Sequence, residues 1–171
     1  MYKLNSNYYK GIYNVYFDKT INSIIDIGKL DSGQKKILDF GCGYGQLKKK
    51  IKNNIVFNYD IDAKFTDFND WKVLSFDYLV ANQVFYLFSK TELNEFLDDL
   101  KKINPKTKLI IGISYQNLLS KILKNLLKYK DAHKFTKLSY DDQLEVFKKK
   151  CNLLKKKDNF FLNKVFLFEL I

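Results

Sequence analysis

The chain has 171 residues, 46% of them hydrophobic, which suits one domain with a core of its own and leaves no Gly/Ser/Pro-rich stretch long enough to divide it. Its net charge of +11 comes entirely from lysine, with no arginine anywhere, and this argues against a dedicated nucleic-acid reader, for which arginine is the favoured phosphate and base-edge contact. Sixteen asparagines against three alanines point to A/T-rich coding, so the lysine runs at 48–50, 148–150 and 155–157 read as solvated surface.

In chain order, an aromatic segment containing Tyr8, Tyr9, Tyr13, Tyr16 and Phe17 leads into a helix from Asp18 to about Ile27. The helical spacing of these rings makes a packing stripe their default role. Ile37-Leu38-Asp39-Phe40 reads as a buried strand ending in a turn with glycines at 41, 43 and 45. Glycine suits such a turn because it accepts positive φ and lets a ligand approach the backbone. The spacing is D-x-G-x-G-x-G, and Gln46 occupies the place where a dinucleotide fingerprint requires its third glycine. Pyrophosphate is therefore disfavoured, and a carboxylate at Asp39 suits a ligand that carries an ammonium group.

A second strand, Ile55 to Tyr59, ends at Asp60, with Asp62 following. Only sixteen residues separate Asp60 from Asp77, too few to hold a helix and a further strand comfortably, because a βαβ connection takes at least ~10–12 residues by itself. Phe76 to Leu87 contains the next strand. Ser89-x-x-Glu92 is a capping box that opens a helix ending near Ile103, before Pro105, and Thr107 to Ser114 is again strand-like.

Gln116 to Tyr129 is amphipathic, with Leu119, Ile122, Leu123, Leu126 and Leu127 on one face. A lid over a substrate pocket, an interfacial helix touching a membrane and an ordinary packed helix all have this pattern. His133, the only histidine, follows and suits either a general base or a solvated loop residue. Ser139 caps a helix running to about Leu153, and strands around Leu154 to Lys157 and Phe160 to Leu170 close the chain. Cys42 and Cys151 form neither a disulfide framework nor a zinc site, no run reaches the ~18 apolar residues of a membrane span, and the N-terminus lacks a signal-peptide core. The expected location is a reducing cytoplasm.

The acid–glycine turn, the spaced Asp60 and the two later strands, in that order, resemble the class I S-adenosylmethionine-dependent methyltransferases, and among them the ubiquinone-biosynthesis-like enzymes that act on small molecules. The resemblance implies an α/β fold: a three-layer, doubly wound, mostly parallel Rossmann-like sheet, abbreviated between the family's second and fourth strands, with a helical lid after its fifth. It implies a single domain over 1–171, with a helical cap at 1–30 and the lid at 116–134. It also implies S-adenosyl-L-methionine as cofactor, held by Asp39, Gly41, Cys42, Gly43, Gly45, Asp60, Ile61, Asp67, Asn82 and Gln83. Asp39 would face the methionine ammonium, Asp60 the ribose hydroxyls and Asp67 the adenine amino group.

For the substrate side the resemblance implies Tyr8, Tyr9, Phe85 and Tyr115, with His133 as candidate base. The proline-bearing signature of adenine and glutamine amino-methyltransferases is missing at Asn82-Gln83-Val84-Phe85, as is the Pro-Cys pair of cytosine enzymes, and no acidic cluster suggests a metal. The expected acceptor is a small molecule, a lipid or a glycan, and peripheral membrane contact through 116–130 is a further expectation. A nucleic-acid methyltransferase and a noncatalytic cofactor-binding protein are the alternatives.

Overall fold

A computed structural model describes residues 12–114, 136–159 and 163–171. Six strands form one sheet in the order β2-β1-β3-β4-β6-β5. The strands are β1 (Lys36–Phe40), β2 (Ile55–Tyr59), β3 (Tyr78–Asn82), β4 (Lys108–Ser114), β5 (Cys151–Asn159) and β6 (Asn163–Leu170). β1 to β4 run parallel, while β6 is antiparallel to β4 and to β5. The helices are α1 (Ile12–Gly28), α2 (Gln46–Lys50), α3 (Lys90–Ile103) and α4 (Tyr140–Lys150).

Strand alternation divides the core between the two faces of the sheet. Ile37, Val56, Val80, Ile110, Val165 and Leu167 pack on α1 through Ile24, Ile27 and their neighbours, making an aliphatic layer. Leu38, Phe40, Leu79, Ile111, Phe166 and Phe168 face the other way, against Phe85, Phe96 and Phe147, making an aromatic one. The rings meet in tilted and stacked geometries, such as Phe40 to Phe96 at 4.9 Å and Phe147 to Phe168 at 5.2 Å. The result is a helix–sheet–helix sandwich, the arrangement that a mostly parallel sheet requires because both of its faces are apolar.

Local signals set several boundaries. The capping box forms as expected: the Ser89 hydroxyl accepts from the Glu92 amide, and the Glu92 carboxylate accepts from the Ser89 amide. Ser139 caps α4 in the same manner through the Asp142 amide, with acids in the first turn and Lys148 to Lys150 in the last. α4 ends at Lys150 rather than Leu153, because Cys151 is already extended (φ −145, ψ 147) and pairs with Leu170. β5 is therefore longer than expected, with a bulge between Leu153 and Lys155. α1 begins six residues before Asp18, the expected start, and this added turn carries Tyr16 into contact with Gln83.

No strand forms between 61 and 76 among the described residues, so β2 is the sheet edge. One residue does a strand's share there. The Asp67 amide donates to the Asn58 carbonyl (2.9 Å) and Asp67 Oδ2 accepts from the Asn58 amide (2.9 Å), satisfying both main-chain groups of Asn58 on the open side.

Candidate functional site

The turn from β1 into α2 is built on three left-handed glycines, Gly41 (φ 72), Gly43 (φ 51) and Gly45 (φ 67). The Gly41 and Cys42 amides both donate to the Tyr59 carbonyl (2.7 and 3.1 Å), tying the turn to the end of β2. A Cβ on Gly41 would collide with Val84, so glycine is required there by space as well as by φ. The Cys42 thiol donates to the Phe65 carbonyl at 3.2 Å, and burial first, then the charges of Asp39, Asp60 and Asp67, push its pKa up. Buried in the turn, the thiol stays protonated at neutral pH.

Two buried acids flank this turn. Asp60 Oδ2 accepts from the Gly43 amide (2.9 Å) and its Oδ1 from the Asp62 amide (3.0 Å). A carboxylate offers about four acceptor positions, so these two backbone bonds do not exhaust its capacity. Asp39, at the strand's inner end, is 6% exposed, and its pKa is raised to about 7, chiefly by burial and secondarily by the charge of Asp60. A cation placed beside it would relieve both effects. Ile61, next to Asp60, is 98% exposed, an apolar surface beside the acid that follows β2.

Asp67 is bound to the outer edge of β2 at Asn58. Its Oδ2 accepts from both Lys48 Nζ (2.7 Å) and the Asn58 amide. At the end of β3, Asn82 Oδ1 is buried without a partner and fills the space that a side chain on Gly112 would need. Gln83 then adopts positive φ (55) although it is not glycine, its amide donating to the Gly112 carbonyl (2.8 Å) and its side chain to the Tyr16 hydroxyl (3.1 Å).

Phe85 is corrected from substrate contact to core. It is 1% exposed and packs on Phe40, Phe88, Phe96 and Phe147, because the 3₁₀ turn at Phe85–Leu87 folds it into the aromatic layer. Tyr8, Tyr9, Tyr115, His133 and the 116–134 insertion lie outside the described residues. Three polar residues with no distinguishing motif meet at this end of the sheet: Tyr16, which bonds Gln83, and Ser114 and Asn163, which pair across β4 and β6. One signal for Asn163 was present, since it falls on the same alternation phase as the apolar Val165 and Leu167. Among the described residues no group of three or more His, Cys, Asp or Glu is placed to hold a metal, and no helix is long and apolar enough to cross a membrane.

No family model matches the chain, and no curated protein matches it. Solved structures do. The PH0226 protein from Pyrococcus horikoshii OT3 aligns with a TM-score of 0.68 at 13% identity, over 99% of this chain and 100% of that one. Magnesium protoporphyrin IX methyltransferase from Synechocystis PCC 6803, solved with bound S-adenosylmethionine, aligns with a TM-score of 0.61 at 14% identity, over 98% and 86%. The small RNA methyltransferase HEN1 aligns with a TM-score of 0.69 at 11% identity, over 99% of this chain and 27% of that one. With the parallel β1–β4 core, the antiparallel closing pair and the acid-flanked glycine turn, these likenesses give the chain the Rossmann-like fold of the class I S-adenosylmethionine-dependent methyltransferases.

Proposed function

We propose that the chain is an S-adenosylmethionine-dependent methyltransferase acting on a small-molecule, lipid or glycan acceptor. The observation that carries this reading is the pair of buried acids, Asp39 and Asp60, framing a left-handed three-glycine turn. In the bound complex Asp39 takes the methionine ammonium and Asp60 the ribose hydroxyls. Ile61 lies against adenine, and Asp67 accepts from the adenine amino group through Oδ1, since both of its protein hydrogen bonds use Oδ2. Gly41, Cys42, Gly43 and Gly45 let the backbone approach, and Asn82 and Gln83 border the methionine end. S-adenosylmethionine, when bound, supplies a methyl group already activated on a sulfonium.

The protein's share of the chemistry is then positioning and exclusion of water. The acceptor must be held ~3–3.5 Å from the methyl and in line with the leaving sulfur, and a base is needed only if the acceptor arrives protonated. His133 is the candidate for that base. A small-molecule acceptor agrees with the arginine-free sequence, and with lysines that are in several cases tied to acids, as in Lys48–Asp67, Lys50–Asp18, Lys72–Asp99 and Lys150–Asp98.

Calorimetry with S-adenosylhomocysteine tests the reading. Binding in the micromolar range is expected, and Asp60→Ala should weaken it by about 10- to 150-fold, the cost of roughly 1.5–3 kcal/mol for a charge-assisted contact. Unchanged affinity in that variant defeats the assignment.

A further inference from the structure

The face of the sheet that packs on α1 changes character at the C-terminal ends of β3 and β4. Along that face Val80 is followed by Asn82, Ile110 by Gly112 and Ser114, and Val165 of β6 is preceded by Asn163. Asp39 shares it, two residues after Ile37 and paired with Val80. The polar patch therefore adjoins the acid proposed for the methionine ammonium. Open α/β sheets bind ligands at this end.

Two features of the patch are not explained by folding alone. Asn163 is fully buried, yet neither its amide nitrogen nor its carbonyl oxygen closes a hydrogen bond. The Tyr16 hydroxyl lies near it: against the larger raising effect of burial, the Asn163 side chain is one of the groups that lower the Tyr16 pKa. A buried orphan amide costs stability, and natural cores rarely keep one. Gln83, which donates to Tyr16, holds a positive φ that a non-glycine residue adopts only under constraint from its surroundings. Strain and an unsatisfied polar group thus meet at one place.

The chemistry of the patch selects its occupant. Tyr16, Gln83, Ser114 and Asn163 are all neutral, and burial raises the Tyr16 pKa above its ordinary value, which keeps the hydroxyl protonated. An anion here would lose its hydration without gaining a cation from these four side chains. Asn163 itself offers a donor and an acceptor side by side, a pattern complementary to another amide edge.

Resting on the methyltransferase reading of the glycine turn, we propose that Tyr16, Gln83, Ser114 and Asn163 form the acceptor-binding subsite. It takes a neutral group that presents a donor and an acceptor together, such as a carboxamide, a lactam or an enol–ketone edge, in preference to a carboxylate or phosphate. Asn163 sets the specificity, and Tyr16 and Gln83 position it. The acceptor is thereby anchored on the α1 side of the sheet, beside the methionine end of the cofactor site.

Two measurements test this. The first replaces the amide with an apolar isostere. If Asn163 is held for a ligand, Asn163→Leu removes an unsatisfied group and raises Tm by about 2–6 °C without ligand. A fall in Tm would show that the amide is a structural partner, and would overturn the proposal.

The second keeps the native protein, saturated with S-adenosylhomocysteine, and follows the Asn163 side-chain amide signal by NMR during titration with benzamide, 2-pyridone and benzoate. The neutral probes should move the signal with at least tenfold higher affinity than benzoate. A signal unmoved by both neutral probes, or moved equally by benzoate, overturns the subsite while leaving the cofactor reading intact. Failure of S-adenosylhomocysteine to bind at all would instead remove the reading beneath it.

Discussion

Asp39 carries an opposition between stability and binding. Because its folded pKa is raised to about 7, the native protein holds a proton there that the unfolded chain releases near the ordinary carboxylate value. The favourable linkage is therefore fully present below about pH 4 and is lost as pH rises through about 7. Asp39→Asn should follow the opposite preferences: without ligand it should melt several degrees above the native protein near pH 8, and the advantage should shrink toward pH 5. Its affinity for S-adenosylhomocysteine should fall by about tenfold or more, because the ammonium loses its counter-charge. Native affinity should rise from about pH 6 to pH 8 as Asp39 ionises, and the variant should lose that slope. Calorimetry across this range, paired with thermal melts, checks both signs. An equal slope in the variant would assign the pH dependence elsewhere.

The missing strand matters most at the level of elements. β2 would be a bare edge but for Asp67, whose main chain and carboxylate satisfy Asn58 and whose carboxylate also holds Lys48. Asp67→Ala should therefore expose the Asn58 amide, speeding its hydrogen exchange at least tenfold, for a stability loss of about 1–2 kcal/mol. The proposed adenine contact predicts something further. The native protein should prefer S-adenosylhomocysteine to the analogue with hypoxanthine in place of adenine, and the variant should show no such preference. A preference that survives in the variant would leave Asp67 as an edge cap alone. α3 and α4 need no such improvisation, since each begins on a serine cap, and α3 buries Leu93, Phe96, Leu97 and Leu100 while α4 buries Val146 and Phe147.

For the molecule as a whole, the aromatic and aliphatic layers make a rigid platform, and the proposed acceptor side lies at the strand ends of its α1 face. The amphipathic segment 116–129 follows β4 directly in the chain. As a lid it should be weakly protected without ligand and should gain hydrogen-exchange protection when S-adenosylhomocysteine and an acceptor bind. Protection of Leu119 to Leu127 equal to that of β4 in the free protein would defeat the lid reading. Flotation with liposomes, unaffected by anionic lipid content, would remove the membrane-surface alternative.

What the linear sequence determined is local in origin. The D-x-G-x-G-x-G turn, the acid after β2 and the serine caps of α3 and α4 are each set by residues a few positions apart, so spacing alone exposes them. The shortened connection from Asp60 to Asp77 was legible because chain length limits what can fit. Tertiary structure alone decided the rest. Asp67 became an edge cap because no strand lies outside β2 among the described residues, and Phe85 became a core ring because the turn after β3 folds it toward α3 and α4. α4 stopped at Lys150 because Cys151 pairs with Leu170, 19 residues away. In the sequence Asn163 is marked only by sharing the alternation phase of Val165 and Leu167, and its environment was set when β6 placed it, buried, opposite Ser114 and near Tyr16 from the far end of the chain. Such juxtapositions depend on long-range pairing and on the desolvation it brings, and no window of neighbouring residues encodes either.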